Sequence, residues 1–332
     1  MNERYHLLDF AKFVFIFGVI FVHFEWPGIF GTALSMMGLV GVVIFFLISG
    51  FFAYDEDDEK ACKKLIKRFK RNGIQFLIAL AVYALITLIC VSIKGDLASW
   101  LERFKDPKVY IRFFTASDFD IFNASTFWFM AGIVFSYPVM ALFRKLHIMK
   151  IAYVLAPLLI IFQLIAECYL IMVEGDWHYY SNFLLRALPY MVLGDLIAFL
   201  KAKNFFVKIP HYIYAIASLI TFILTVLAEG FITGISITAP IRIICAVITF
   251  LFFISKPNKQ INKTVEYMGN NYTIYIYLYH YIIGFLIIFF FMPDTMGVWT
   301  IGNILLPFIV FILSLILAAI ICAVKKGTKK TA

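Results

Sequence analysis

At 332 residues, the chain is 63% hydrophobic and only 15% charged, against about 45–50% and about a quarter for an ordinary soluble domain. A surface that apolar cannot be covered in water, which excludes a soluble enzyme, a secreted disulfide scaffold and a disordered chain, and leaves a polytopic membrane protein. The net charge of +9 would suit a nucleic-acid partner in a soluble protein; in a membrane protein its placement along the chain decides.

A helix needs about 20 apolar residues to cross ~30 Å of hydrocarbon. Ten segments meet that requirement, at 7–24, 35–54, 74–93, 127–143, 151–173, 183–200, 211–229, 237–255, 271–291 and 301–324. With the N-terminus in the cytoplasm, the inner segments 1–6, 55–73, 144–150, 201–210, 256–270 and 325–332 carry 21 Lys or Arg, and the outer loops carry five, all within 94–126. That asymmetry follows the positive-inside rule. The expected fold is therefore an all-α polytopic membrane bundle, a single domain over 1–332 with ten transmembrane helices and both termini cytoplasmic. No nucleic-acid partner is expected; membrane lipids are.

The first span is interrupted by Lys12 and is followed by no small-residue cleavage site, so it does not read as a signal peptide. Between spans two and three, the acidic stretch Asp55–Glu59 precedes seven cations between Lys60 and Arg71. Such a run is a topology anchor on anionic headgroups or a mouth attracting a polyanionic substrate. In the outer loop, residues 97–104 form an amphipathic fragment suited to lying along the interface. Trp177, His178 and Tyr179 precede span six as interface anchors or sugar-stacking rings. Only eight residues follow the tenth span, so no fused cytoplasmic enzyme is expected in this chain.

A charge at mid-bilayer costs roughly 2.5–3.5 kcal/mol on insertion scales, so ionisable residues inside spans are functional candidates. They are Asp9, Lys12, His23, Glu167, Arg186, Asp195, Arg242 and His280. The topology puts Asp9, Lys12 and Asp195 near the cytoplasmic side, His23, Glu167, Arg186 and Arg242 toward the outer side, and His280 near the middle of span nine. Glu167 and Arg242 lie close enough to helix ends to snorkel. Lys12 and His23 leave the first helix on nearly the same face, about 16 Å apart along its axis. They suit the two ends of one elongated ligand, the ammonium for a phosphate and the imidazole for general-base work. Asp9, one turn before Lys12, is placed to hold the ammonium. The five scattered cysteines lack C-x-x-C spacing and the six histidines show no H-E-x-x-H, so no metal site is expected.

These residues carry a resemblance. Lys12, ten intervening residues and His23 resemble the (Arg/Lys)-x10-His motif that opens membrane-bound acyltransferase family 3 proteins. Phe45-Phe46-Leu47-Ile48-Ser49-Gly50-Phe51 is similar to that family's second-helix box. Leu188-Pro189-Tyr190-Met191-Val192-Leu193-Gly194 is similar to a later one, and the stretch from Gly269 to His280 to the late box ending in I-Y-L-x-H. The resemblance implies a polysaccharide O-acetyltransferase type of the bacterial plasma membrane. It would move an acyl group, usually acetyl, from cytoplasmic acyl-CoA (acetyl-CoA) to a hydroxyl of a cell-surface glycan or lipid-linked sugar. Carried over by position, Lys12 contacts the coenzyme's phosphates and His23 deprotonates the acceptor or assists acyl movement. Stabilising the developing oxyanion falls to His280, Tyr277 or Tyr279; Arg186, Asp195, Arg242 and Glu167 are supporting polar candidates. Three positions depart from the family's pattern: Lys12 where Arg is commoner, Ile133 where a branch of relatives has glutamate, and Tyr272 where a small residue is usual. Buried charges at two depths would equally serve a transporter of a small anion or acylated precursor, or a membrane sensor module.

Overall fold

The structure is a computed structural model describing residues 4–173, 182–206, 209–231, 238–292 and 301–330; Trp177, His178 and Tyr179 lie outside the described residues. In chain order the helices are α1 (His6–His23), α2 (Gly28–Phe51), α3 (Asp58–Lys94), α4 (Leu97–Glu102), α5 (Pro107–Thr115), α6 (Phe127–Lys145) and α7 (Met149–Met172). There follow α8 (Phe183–Arg186), α9 (Leu188–Ala202), α10 (His211–Phe231), α11 (Thr238–Ser255), α12 (Lys263–Asn271), α13 (Thr273–Phe291) and α14 (Ile301–Lys330). Among the described residues the structure is all-helical, 85% helix. Among the described residues nine helices are long and apolar enough to cross a membrane, and α11 supplies a shorter apolar one where the eighth of the ten expected spans falls. Large apolar side chains stay exposed along single faces of these helices, such as Ile74, Leu77 and Ile78 on α3 or Val154, Leu158 and Ile165 on α7. Such faces are stable only against lipid.

The chain forms two compact units, residues 1–45 with 206–332, and residues 46–205. In the second unit, two of the resemblance boxes meet. A Cβ on Gly50 would stand 1.8 Å from the carbonyl oxygen of Met191, and one on Gly194 would stand 2.1 Å from that of Leu47. The two glycines thus let α2 and α9 touch backbone to backbone, as small residues do between membrane helices. Phe46 fills the space beside that crossing, stacked on Tyr190 and tilted on Phe129.

Helix α3 starts earlier than its predicted span. Asp57 caps it, accepting from the backbone N–H of Glu59 and Lys60, and acidic residues suit the positive end of the helix dipole. At 37 residues it is about 55 Å long, so the basic run is its N-terminal portion. Two of those cations hold the segment just after α2, where Arg68 donates to Phe52 O and Lys64 to Tyr54 O. In the outer loop, Trp100 of α4 is buried and donates to Ile121 O at 2.8 Å. The fragment expected along the interface thus turns Trp100 into the loop while Leu101 stays exposed, as do Ile111 and Phe114 of α5.

The sixth predicted span is two helices. The chain breaks at Ala187, just ahead of Pro189 in the first turn of α9; a proline there lacks the N–H an unbroken helix would need. The break leaves Arg186 at the end of α8, with its guanidinium 5.0 Å above the Trp128 ring.

Candidate active site

The first unit holds the opening motif. Lys12 donates to Asp9 Oδ1 at 3.0 Å while Arg4 donates to Asp9 Oδ2 at 3.1 Å. Asp9 is buried and thus carries a cation on each oxygen. The ammonium of Lys12 is fixed in direction by a charge-assisted bond, in keeping with the one-turn spacing. Behind it the entry to α1 is tied down. Glu266 of α12 accepts from the backbone N–H of Ile261 and Asn262 and lies 2.8 Å from His6 Nδ1. Asn262 caps α12 from the other direction, a reciprocal arrangement akin to a capping box. Burial pushes the Glu266 carboxyl up, but the hydrogen bonds from Ile261, His6, Gln260 and Asn262 outweigh it and hold the group below the usual glutamate range.

The far end of α1 meets α13. The His23 and His280 rings stand 5.3 Å apart between centroids, tilted by 40°, and Tyr281 approaches His23 edge-on at 5.6 Å. The Tyr277 ring lies 5.8 Å from His280, tilted by 51°. His23 is half-buried; His280 is fully buried. The tautomer of His280 follows from its neighbours. Its Nδ1 is 2.7 Å from Tyr277 O and 3.1 Å from Ile276 O, and a carbonyl can only accept, so Nδ1 carries the hydrogen. In the neutral ring Nε2 is then a lone-pair nitrogen, and it is buried without a hydrogen-bond partner among the described residues. The sequence suggests His280 as an oxyanion donor; this tautomer makes Nε2 an acceptor. Tyr277 contributes its backbone carbonyl as well as its ring. Arg242, the remaining candidate of this unit, is half-buried in the first turns of α11.

In the second unit, Asp195 has 0% exposure and sits in an ion cluster. Arg144 Nη2 donates to its Oδ1 at 2.5 Å and Tyr153 donates to the same oxygen at 2.6 Å. Arg144 Nη1 turns the other way, to Asp58 Oδ1 at 2.9 Å, and His147 Nδ1 lies 2.8 Å from Asp58 Oδ2. By position in the sequence Arg144 is one of the inner topology charges; in the structure it is 5% exposed in the last turn of α6. A buried carboxylate in a span requires a cation, and that requirement is the signal by which Asp195 points to Arg144. Glu167 accepts from Gln163 at 3.3 Å, and Gln163 in turn accepts from Tyr190.

A bundle of helices long and apolar enough to cross a membrane, with an anchored lysine and a histidine pair on its first helix and a late one, defines the class as an integral membrane protein. Its family is shown directly: the family model described as an acyltransferase domain, acyltransferase family 3, matches residues 5–323, so the chain belongs to that family and is an acyltransferase. No curated protein and no solved structure matches it.

Proposed function

We propose that the chain transfers an acyl group, acetyl in the first instance, from acyl-CoA on the cytoplasmic side of a bacterial plasma membrane. The acceptor is a hydroxyl of a cell-surface glycan or lipid-linked sugar. The observation that carries this reading is the histidine pair, with His280 Nε2 buried and without a partner among the described residues beside the half-buried ring of His23. Attack of a hydroxyl on a thioester needs a base, because the alcohol is a weak nucleophile until its proton leaves.

In the proposed step, His23 takes the proton of the acceptor hydroxyl as its oxygen bonds to the thioester carbonyl carbon. The C–S bond of the tetrahedral intermediate then breaks, and the departing thiolate takes that proton back from the imidazolium. At 5.3 Å between ring centres, a rotation of His23 brings one of its nitrogens toward His280 Nε2. A lone pair there stabilises the imidazolium while it exists. Tyr277 O fixes the ring of His280 in that orientation. Lys12, held by Asp9, whose other oxygen takes Arg4, meets the coenzyme's phosphates; the ~16 Å between Lys12 and His23 separates phosphate binding from chemistry. Arg186, Asp195, Glu167 and Arg242 are read as supporting the bundle. The test is purified protein in detergent with labelled acetyl-CoA and glycan-bearing membrane extract. Label should pass to the acceptor, and full transfer by a His23→Ala variant would refute the assignment.

A further inference from the structure

At the end of α14, Lys325 donates to Tyr275 Oη at 2.6 Å and lies 4.7 Å above the same ring. Lys326 repeats the pattern with Tyr267, its ammonium 4.8 Å above that ring. Tyr267 and Tyr272 meet edge-on at 5.6 Å, and Cys322 Sγ reaches Asn271 O at 3.4 Å. Two exposed ammonium groups and three phenol rings are thus gathered where α12 passes into α13, the helix that carries His280. A plain topology anchor needs charge alone, and its lysines can remain disordered in water. Here both long side chains are ordered against specific rings, which costs rotamer entropy, while a neutral phenol cancels no charge. Lys325 and Lys326 lie just beyond the family match, which spans residues 5–323 and includes the three tyrosines, and Tyr272 stands where a small side chain is usual.

Ammonium groups bind phosphate as point charges, and flat phenol faces stack on a base. From this juxtaposition we infer that Lys325, Lys326, Tyr267 and Tyr272 form a subsite for a phosphorylated adenosine, the nucleotide end of the coenzyme A donor. Tyr275 holds Lys325 in place. The inference rests on the acyl-CoA reading above and adds residues to it. Tyr275 and His280 are five residues apart on α13, about 7–8 Å along the axis and about 140° around it, so the thioester arm of a donor held here by its nucleotide passes round α13 to reach the histidines.

The test measures binding of coenzyme A and of adenosine 3′,5′-bisphosphate to the detergent-purified full chain by isothermal titration. The expected result is that Lys325→Gln/Lys326→Gln weakens both about tenfold, one well-made phosphate contact, while Lys325→Arg/Lys326→Arg stays within about twofold of the parent. Unchanged binding in the Gln variant, with binding lost in Lys12→Met, would overturn this subsite and leave the donor reading standing. Equal weakening in the Gln and Arg variants would mark a structural role and overturn it too. If the parent protein bound neither probe, the donor reading itself would fall, and this one with it.

Discussion

Gly269 lies against α1 so closely that a Cβ on it would stand 1.8 Å from the carbonyl oxygen of Asp9 and 3.3 Å from the backbone nitrogen of Phe13. This contact joins the late box to the opening motif. From that contact α1 runs on to His23, fourteen residues past Asp9, and the chain runs from Gly269 across the break between α12 and α13 to His280, eleven residues on. The two rings meet beyond it, 5.3 Å apart between centroids. Gly269→Ala should therefore push α12 off α1 and spoil both ends of the site. We expect acyl transfer to fall at least tenfold and folded yield to drop, measured by size exclusion in detergent alongside turnover.

Replacing His280 tests the division of labour at the pair. His280→Ala removes the lone pair that stabilises the His23 imidazolium, and transfer should fall at least tenfold, about the worth of one charge-assisted hydrogen bond. His280→Gln offers an amide oxygen that can accept in place of Nε2 and should recover part of that loss. Rates near the parent value in both would remove His280 from the mechanism.

The role of Lys12 separates into charge and geometry. A guanidinium keeps the charge, so Lys12→Arg should retain most activity. Lys12→Met should raise the KM for acyl-CoA far more than it lowers kcat, as expected when a ground-state binding contact is lost. A matched loss in kcat for the two variants would contradict phosphate binding.

Arg144 and Asp195 are testable by stability alone. Arg144→Met strands a buried carboxylate that shares one oxygen between two donors, and removing one partner of a buried pair costs about 3–5 kcal/mol. The double variant Arg144→Met/Asp195→Leu should recover much of that loss, since an apolar pair in its place leaves no charge stranded. Thermal unfolding in detergent reads both; a double variant as unstable as the single one would show that the pair is not what holds α6 to α9.

The sign of the pH response at α12 follows from Glu266. Its folded pKa lies below its ordinary value, so its bonds to Ile261, Asn262 and His6 stabilise the fold above the unfolded carboxylate range, and that contribution is lost as pH falls through the depressed folded value. Melting temperature measured from neutral pH downward should drop in this acid window. Glu266→Gln should start lower and show a shallower drop; a slope identical to the parent's would exclude Glu266 as its source.

Composition and the 3.6-residue period were enough to define an all-helical membrane protein, because a bilayer leaves few ways to satisfy the backbone and apolar runs of spanning length are visible by inspection. The Lys12/His23 spacing and the Asp9 partner were legible for the same reason: both lie on one helix, where geometry is a function of residue number. What the tertiary structure decided are the meetings between helices distant in sequence. No periodicity places His280 beside His23, turns Tyr277 O onto His280 Nδ1, or reveals that Arg144, standing among ordinary inner charges, is the buried partner of Asp195. Those relationships depend on how closely two backbones approach, which here is set by side chains that are absent, at Gly50, Gly194 and Gly269.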